Sequence, residues 1–222
     1  MRQFYYVFSK ENWSTLSTNL SWSHYSELLS IDNIAKINYY IKINIEQKLS
    51  VRQLREKIKN REYERLDETA REKLITKEDT SLVDLIKNPI LIKNSINKKI
   101  ISEKTLQKII LEDIPAFLDE LGEGFTFVKN EYKIKIGNSY NYIDLLLYTY
   151  IFNCFVVVEL KVTELKKEYI GQIEVYMNYI DKNLRKLTQD KTIGIIICKK
   201  DNKFIMEYCS DKRILAKEYQ II

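Results

Sequence analysis

Two stretches of the chain are apolar at nearly every position, and both predict strands buried in the middle of a sheet. Residues 155–158 read Phe-Val-Val-Val, and residues 192–198 read Thr-Ile-Gly-Ile-Ile-Ile-Cys. A strand that is covered on both faces needs such a continuous run of β-branched and aromatic residues. Residues 168–181 lie between the two runs and carry an apolar stripe at helical spacing. Because a strand, a helix and a second strand in this order form a crossover, we expect the two strands to be parallel neighbours.

The remaining pattern divides the chain into a helical first part and a mixed second part. The dipeptide Asn88-Pro89 punctuates the sequence, which predicts a helical domain at residues 1–88 and a second domain at residues 89–222. The second domain should begin with one long helix or two over residues 95–121. Further strands are expected at residues 125–127, 132–136 and 142–150, with edge pieces of the sheet at 204–208 and 216–222. The predicted fold class is α/β, with an α-helical N-terminal domain followed by a domain built on a central mixed sheet.

Three charged residues come together at the end of the first apolar run. Glu159 and Lys161 are two residues apart, so they project from the same face of the strand. The preceding strand carries Asp144, and a two-residue hairpin loop would join the two strands. A loop at residues 151–152 sets Asp144 opposite Glu159, whereas a loop at 152–153 sets it opposite Lys161. Either register places all three side chains on one face, with facing Cβ atoms about 5 Å apart.

Two carboxylates at that distance can chelate a hard divalent cation, which prefers oxygen ligands. A lysine beside them can hold or polarise a water on the metal. The alternative is a solvated surface pattern, because 30% of the residues are charged and Glu-x-Lys recurs by chance. The location at the end of the most apolar strand favours the site, since charged residues are seldom buried unless they are paired or functional.

Composition and charge restrict the class of protein. The chain has 36 basic and 31 acidic residues, so its net charge of +5 favours a polyanionic partner only weakly. Three cysteines at no metal-ligand spacing leave one unpaired, which predicts reduced thiols. No apolar run approaches the roughly 20 residues of a membrane span, and the N-terminus has no signal-peptide pattern. We therefore expect a soluble, cytoplasmic protein without a membrane partner.

The helical part contains one pattern that is typical of nucleic-acid binding. Asp32 is expected to cap one helix, and Ser50 with Gln53 forms a capping box for the next. The second of these helices exposes Arg52 and Arg55, so the pair resembles a helix-turn-helix whose second helix contacts nucleic acid. An ordinary helical bundle with a solvated basic face is the alternative.

Taken in order, the motifs of the chain resemble the PD-(D/E)xK nuclease superfamily and, more closely, its YhcG family. The segments that carry the resemblance span essentially the whole chain: residues 20–25, 50–54, 117–122, 142–146, 158–161, 194–198 and 218–219. The resemblance implies a restriction-endonuclease-like αβββαβ domain behind a helical domain that binds nucleic acid. It implies a Mg²⁺-dependent (or Mn²⁺-dependent) nuclease that acts on nucleic acid, with DNA as the expected substrate. A nucleic-acid-binding module with a catalytically inactive nuclease fold is the alternative, and a homodimer would suit cleavage of two strands.

The resemblance also implies roles for individual residues. Asp144 and Glu159 would be metal ligands and Lys161 the water-positioning base. A supporting acid on the first core helix would be Glu112, and Gln172 and Tyr176 would position the substrate.

Two features depart from the family pattern. The residue before Asp144 is Ile143 where the superfamily motif has proline. Residues 1–5 resemble an internal stretch of longer relatives, from which we expect an incomplete N-terminal domain and impaired DNA recognition.

Overall fold

The computed structural model of the protein describes residues 20–76, 86–94 and 102–222. The chain divides into two compact units, Met1–Asp84 and Leu85–Ile222. The assignment of residues 1–88 and 89–222 to separate functional domains stays a prediction. Residues 1–5, on which the expectation of an incomplete N-terminal domain depends, lie outside the described residues.

The first unit is helical throughout its described part. Its elements are α1 (Trp22–Leu28), α2 (Ile34–Gln47), α3 (Val51–Lys59), a 3₁₀ turn (Tyr63–Arg65) and α4 (Glu68–Thr76). Leu28, Tyr40 and Leu54 are completely buried at the centre of the unit. The amphipathic stripes of α2 and α3 therefore close on a core of their own.

The turn between α2 and α3 follows the predicted capping chemistry. The Ser50 Oγ accepts the Gln53 backbone N–H at 3.3 Å, and the Gln53 side chain accepts the Ser50 N–H at 2.9 Å. The predicted capping box is thus confirmed. The prediction of Asp32 as a cap is wrong, because α2 begins one residue later and Asn33 accepts the N–H of the third helical residue at 3.1 Å.

The second unit is a six-stranded mixed sheet covered by helices. Its strands are β1 (Ile90–Ile92), β2 (Phe125–Ile136), β3 (Ser139–Thr149), β4 (Cys154–Leu160), β5 (Ile193–Cys198) and β6 (Ile214–Ile221). The helices are α5 (Glu103–Glu112), α6 (Ile114–Leu121), α7 (Lys167–Asn183) and α8 (Lys203–Glu207). The strand order is β1-β6-β5-β4-β3-β2, with parallel pairs from β1 to β4 and antiparallel pairs from β4 to β2. The predicted α/β fold class is confirmed.

The parallel pairing of the two apolar strands is also confirmed. Val158 of β4 lies beside Ile195 of β5, and α7 forms the crossover between the strands. Both strands are almost completely buried, as their continuous apolar runs require.

Other parts of the sheet differ from the predicted elements. The strands expected at 125–127 and 132–136 form one strand, β2, with a register shift between Phe127 and Lys129. In the tail, residues 203–207 form the short helix α8, and β6 is an inner strand between β5 and β1 instead of an edge piece. Residues 95–101 of the predicted long helix lie outside the described residues.

The loop between β3 and β4 has four residues, 150–153, where two were expected. Asn153 closes it in the left-handed region, with φ of 46°. Thr149 pairs with Cys154 and Leu145 pairs with Val158. Continued by one residue, this register sets Asp144 opposite Glu159, as in the first of the two alternatives.

Close packing of α7 on the sheet leads to one stability prediction. A Cβ atom on Gly194 would lie 2.6 Å from the Met177 Sδ and 2.9 Å from the Ile173 Cδ1. We expect Gly194→Ala to lower the free energy of unfolding by about 1–3 kcal/mol, because the added methyl group overpacks this layer. Urea denaturation measures the loss, and adding Ile173→Val should recover part of it by removing the Cδ1 atom. An unchanged unfolding midpoint for Gly194→Ala would contradict this account of the packing.

The cysteines are as the composition predicts. Cys154, Cys198 and Cys209 are free, buried thiols. Across the described ranges, no helix combines the length and the apolarity that a membrane crossing requires.

Candidate active site

Asp144, Glu159 and Lys161 come together where β4 ends. Glu159 is only 2% exposed and Lys161 only 6%. The Lys161 backbone N–H donates to the Ile197 carbonyl at 2.8 Å, which ties the end of β4 to β5. Asp144 is half-buried on β3, and its Oδ2 accepts the Leu160 N–H at 2.8 Å. The sheet therefore gathers the three residues that the sequence singled out.

The Lys161 ammonium lies between two acids. Its Nζ is 3.3 Å from the Glu159 Oε2 and 3.7 Å from the Glu103 Oε2. It also lies 5.0 Å from the centre of the Tyr169 ring, within the range of a cation–π contact. These contacts hold the amine at the carboxylate cluster instead of in bulk solvent.

The acid supplied by the first core helix is Glu103, and the structure does not bring Glu112 to the cluster. Ser102 caps α5 by accepting the Thr105 N–H at 3.2 Å, so Glu103 occupies the first helical turn. Glu112 is nine residues further on, about 13 Å along the axis, and it is exposed. The Ser-Glu-Lys-Thr start of α5 was the signal in the sequence that could have identified Glu103. Sequence reasoning also missed Gln107, whose Nε2 donates to the Asp144 carbonyl at 3.0 Å.

Gln172 and Tyr176 lie on α7, and Gln172 reaches the Glu159 side chain of β4. The Gln172 Nε2 donates to the Glu159 Oε2 at 3.3 Å and to the Tyr176 hydroxyl at 3.1 Å. Tyr176 itself is buried. This arrangement orients the Glu159 carboxylate, and it favours a supporting role for both residues over the expected direct contact with substrate.

Two known protein families match the chain. The family described as "YhcG PDDEXK nuclease domain" matches residues 83–222, which is more than half of the chain. The chain belongs to this family. The family described as "DUF1016 N-terminal domain" matches residues 1–65. The resemblance of the chain to the YhcG family is thereby confirmed.

A curated relative of this YhcG-family chain spans both parts. The protein named "Putative nuclease YhcG" from Escherichia coli (strain K12) is 27% identical over 225 residues. The match covers 96% of this chain and 60% of that protein. The chain thus spans 60% of the length of this relative.

Two solved structures are similar to part of the YhcG-family chain. The crystal structure of a repair endonuclease from Pyrococcus abyssi matches 55% of this chain and 48% of its own, at 17% identity and a TM-score of 0.38. The structure of an EndoMS–dsDNA complex matches 57% of this chain and 47% of its own, at 18% identity and a TM-score of 0.37.

The electrostatics of the YhcG-family site reflect an excess of negative charge. Burial raises the pKa of Glu159 to about 8, and the nearby Asp144 charge adds to the shift against the opposing effect of Lys161. Burial likewise raises the pKa of Asp144, although the Leu160 N–H and the Lys161 charge lower it. Burial lowers the pKa of Lys161, but the surrounding carboxylates outweigh it and the net direction is upward. The cluster therefore favours the protonated forms of the two carboxyl groups and of the Lys161 amine.

The residues of the cluster fit a divalent cation. The Glu159 Oε1 is buried without a hydrogen-bond partner, although a buried ion pair that served only stability would need every oxygen satisfied. Asp144, Glu159 and Glu103 also outnumber the single amine of Lys161. Within the described residues no three His, Cys, Asp or Glu side chains form a metal cage. Mg²⁺ suits such a site, because it is commonly held by one or two carboxylates together with waters and substrate phosphates.

The two arginines expected to contact nucleic acid lie on α3 of the first unit. The Arg55 guanidinium forms two hydrogen bonds with the Glu27 carboxylate, at 2.7 and 3.2 Å. Arg52 is exposed on the same helix. Arg55 is therefore engaged within the unit, whereas the Arg52 side chain extends into solvent.

Proposed function

We propose that this YhcG-family chain is a metal-dependent nuclease that hydrolyses phosphodiester bonds of nucleic acid, with DNA as the main substrate. The observation that supports it best is the cluster of half-buried Asp144 with buried Glu159 and Lys161, in which the Glu159 Oε1 has no partner. In this proposal Asp144 and Glu159 hold Mg²⁺ or Mn²⁺. The bound cation would lower the pKa of a water and neutralise charge on the scissile phosphate.

Lys161 has the role of a charged donor in this proposal. Its raised pKa keeps the ammonium protonated at neutral pH, so it cannot accept a proton from water there. It can donate a hydrogen bond to the attacking water or to a phosphate oxygen and offset the charge that develops in the transition state. We therefore propose that Lys161 has an electrostatic and orienting role instead of the expected role as a base.

The neighbouring residues hold this arrangement in place. Glu103 and Glu159 both pair with the Lys161 ammonium, and the two carboxylates restrict its position. Gln172 donates to the Glu159 Oε2 and leaves the Oε1 open. We propose that Gln172 and Tyr176 position Glu159, and that neither is needed to contact the substrate.

The first unit is proposed to add affinity for nucleic acid through Arg52, which is exposed on α3. Arg55 would contribute less, because a phosphate must first displace Glu27 from its guanidinium. A homodimer is proposed for the case that both strands of a duplex are cut, since one chain supplies one cluster.

The proposed function is tested by titrating Mg²⁺ and Mn²⁺ against labelled DNA and RNA in single-stranded, duplex and branched forms. We expect cleavage that requires the cation, is abolished by EDTA and is strongest on DNA. Binding that is sensitive to salt and indifferent to EDTA, without cleavage of any form, would instead establish the catalytically inactive alternative.

A further inference from the structure

The β2–β3 hairpin extends beyond the rest of the sheet on the side of the active site. β3 pairs with β4 only from Leu145 to Thr149, whereas it pairs with β2 along its whole length. Residues 132–142 therefore form a two-stranded ribbon that continues past the end of β4. The ribbon begins directly beside Asp144.

The two faces of this ribbon differ in character. Ile134 and Ile143 are almost completely buried on one face. The opposite face carries Lys133 and Lys135 of β2 and Tyr140 and Tyr142 of β3, all of them exposed. We call these four residues the ribbon face.

The ribbon face combines exposed rings with positive charge. Tyr140 is 56% exposed and Tyr142 is 51% exposed. Lys133 pairs across the strands with Tyr142, and its Nζ lies 3.8 Å from the centre of the Tyr140 ring. Lys135 pairs with Tyr140. Lysines alone could serve to prevent edge-to-edge pairing of β2, but that role does not explain two large rings left in solvent on β3.

The ribbon face is aligned with the carboxylate cluster. Side chains alternate along a strand, so Tyr140, Tyr142 and Asp144 follow one another on the same side of β3. At a rise of about 3.4 Å per residue, Tyr142 lies about 7 Å and Tyr140 about 14 Å along the strand from Asp144. Glu131, the nearest acid on β2, lies at the inner end of the ribbon, where its charge raises the pKa of Asp144.

We propose that the ribbon face holds an unpaired strand of nucleic acid and leads it to the carboxylate cluster. Bases stack on Tyr140 and Tyr142, while Lys133 and Lys135 contact phosphates. Unpaired bases present their flat faces to such rings, whereas a duplex buries its base faces in its own stack. This inference rests on the proposed nuclease function and narrows its substrate to single-stranded segments, such as tails, flaps or loops.

The test measures equilibrium binding in EDTA, so that cleavage plays no part. The probes are a labelled oligothymidylate, a labelled oligouridylate and a DNA duplex of the same length. We expect the double variant Tyr140→Ala, Tyr142→Ala to bind both single strands about ten-fold more weakly or worse, with duplex affinity changed by less than about three-fold. The matched variant Tyr140→Phe, Tyr142→Phe retains the rings and should bind as the wild type does.

Two further variants separate the ribbon face from general surface effects. Tyr150→Ala removes an exposed ring from the loop that follows the other end of β3 and should leave binding unchanged. Lys133→Ala with Lys135→Ala should reduce the slope of log affinity against log salt by about 1.4, since each single-strand phosphate contact contributes about 0.7. Replacing Tyr140 and Tyr142 with alanine one at a time measures the contribution of each ring to single-strand affinity. Thermal unfolding of each variant checks that it is folded.

The inference is overturned if removing both rings leaves single-strand affinity unchanged, or weakens single-strand and duplex binding equally. Its failure differs from failure of the proposed nuclease. Ring-dependent binding without cleavage of any substrate would retain the ribbon face and reject the nuclease. Cleavage by a chain whose binding ignores both rings would retain the nuclease and reject the ribbon face. If removing the rings weakens binding of the thymidylate and uridylate probes equally, the ribbon face accepts both DNA and RNA. If it weakens binding of only one probe, the ribbon face binds that type of strand.

Discussion

Replacing Lys161 with methionine should lower the single-turnover rate of metal-dependent cleavage by about 10²–10³-fold, the usual effect of losing one preorganised donor. Methionine preserves most of the apolar stem and removes the ammonium that lies 3.3 Å from Glu159. The fold should survive, because Glu159 has a pKa of about 8 and already holds a proton at neutral pH, so removing the ammonium leaves no bare charge on that buried carboxyl. Cleavage rates at saturating protein, measured beside thermal unfolding curves, separate loss of chemistry from loss of structure.

Two variants control this experiment. Lys182→Met changes an exposed lysine on α7, away from the cluster, and should cleave at the wild-type rate. Lys161→Arg retains the charge in a bulkier group and should recover part of the activity. Cleavage by Lys161→Met within about three-fold of wild type would mean that the cluster does not perform the chemistry, since a lost donor normally costs far more.

Replacing Glu159 with glutamine should stabilise the metal-free protein at pH 8. The folded-state pKa of Glu159 is about 8, against an ordinary value of 4.5. Between these values the folded protein holds a proton that the unfolded chain releases, so the free energy of unfolding falls as the pH rises. The loss is complete above about pH 8, absent below about pH 4.5, and on the order of 5 kcal/mol in total.

Urea denaturation in EDTA at a series of pH values measures this effect. Wild type should lose stability steadily from pH 5 to pH 8, whereas Glu159→Gln should show a much smaller slope that remains from Asp144, whose pKa is also raised. Glu174→Gln changes an exposed glutamate on α7 and should follow the wild-type curve. A Glu159→Gln protein less stable than wild type at pH 8 would show that Glu159 is a satisfied ion-pair partner and not a strained ligand.

Addition of Mg²⁺ extends the same experiment. A cation that binds only the folded state raises stability by mass action, and it must displace the Glu159 proton to do so. Below pH 8 the apparent affinity of wild type should therefore rise by about ten-fold per pH unit. Glu159→Gln should show little stabilisation by the cation at any pH, and this readout does not depend on cleavage.

Much of the fold follows from local patterns. A strand buried on both faces must be apolar throughout, so β4 and β5 are visible as continuous runs in the sequence. The charged residues that follow such a run can lie only at its end, which placed Glu159 and Lys161 beside each other. The hairpin register then carried Asp144 to the same place, even though the loop has four residues instead of two.

Other features depend on packing between distant segments and could not be read from periodicity. The apolar stripe of α5 shows which side of the helix is buried but not which end lies beside β4, and only the packed structure selects Glu103 over Glu112. β6 becomes an inner strand because the three residues of β1 pair with it, and a segment that short has no recognisable pattern. Strands at residues 132–136 and 142–150 could be predicted, but not the ribbon that these strands form beyond the end of β4.

The sequence by itself thus determined the family, the order of the principal elements and the three charged residues at the end of β4, because these depend on contacts between near neighbours and on side-chain alternation. Only the tertiary structure decided which acid joins Lys161, which Glu159 oxygen stays unpartnered and which aromatic rings remain in solvent. Those properties arise where α5, α7 and the sheet meet or fail to meet, and burial at such places is set by all of the packed segments together.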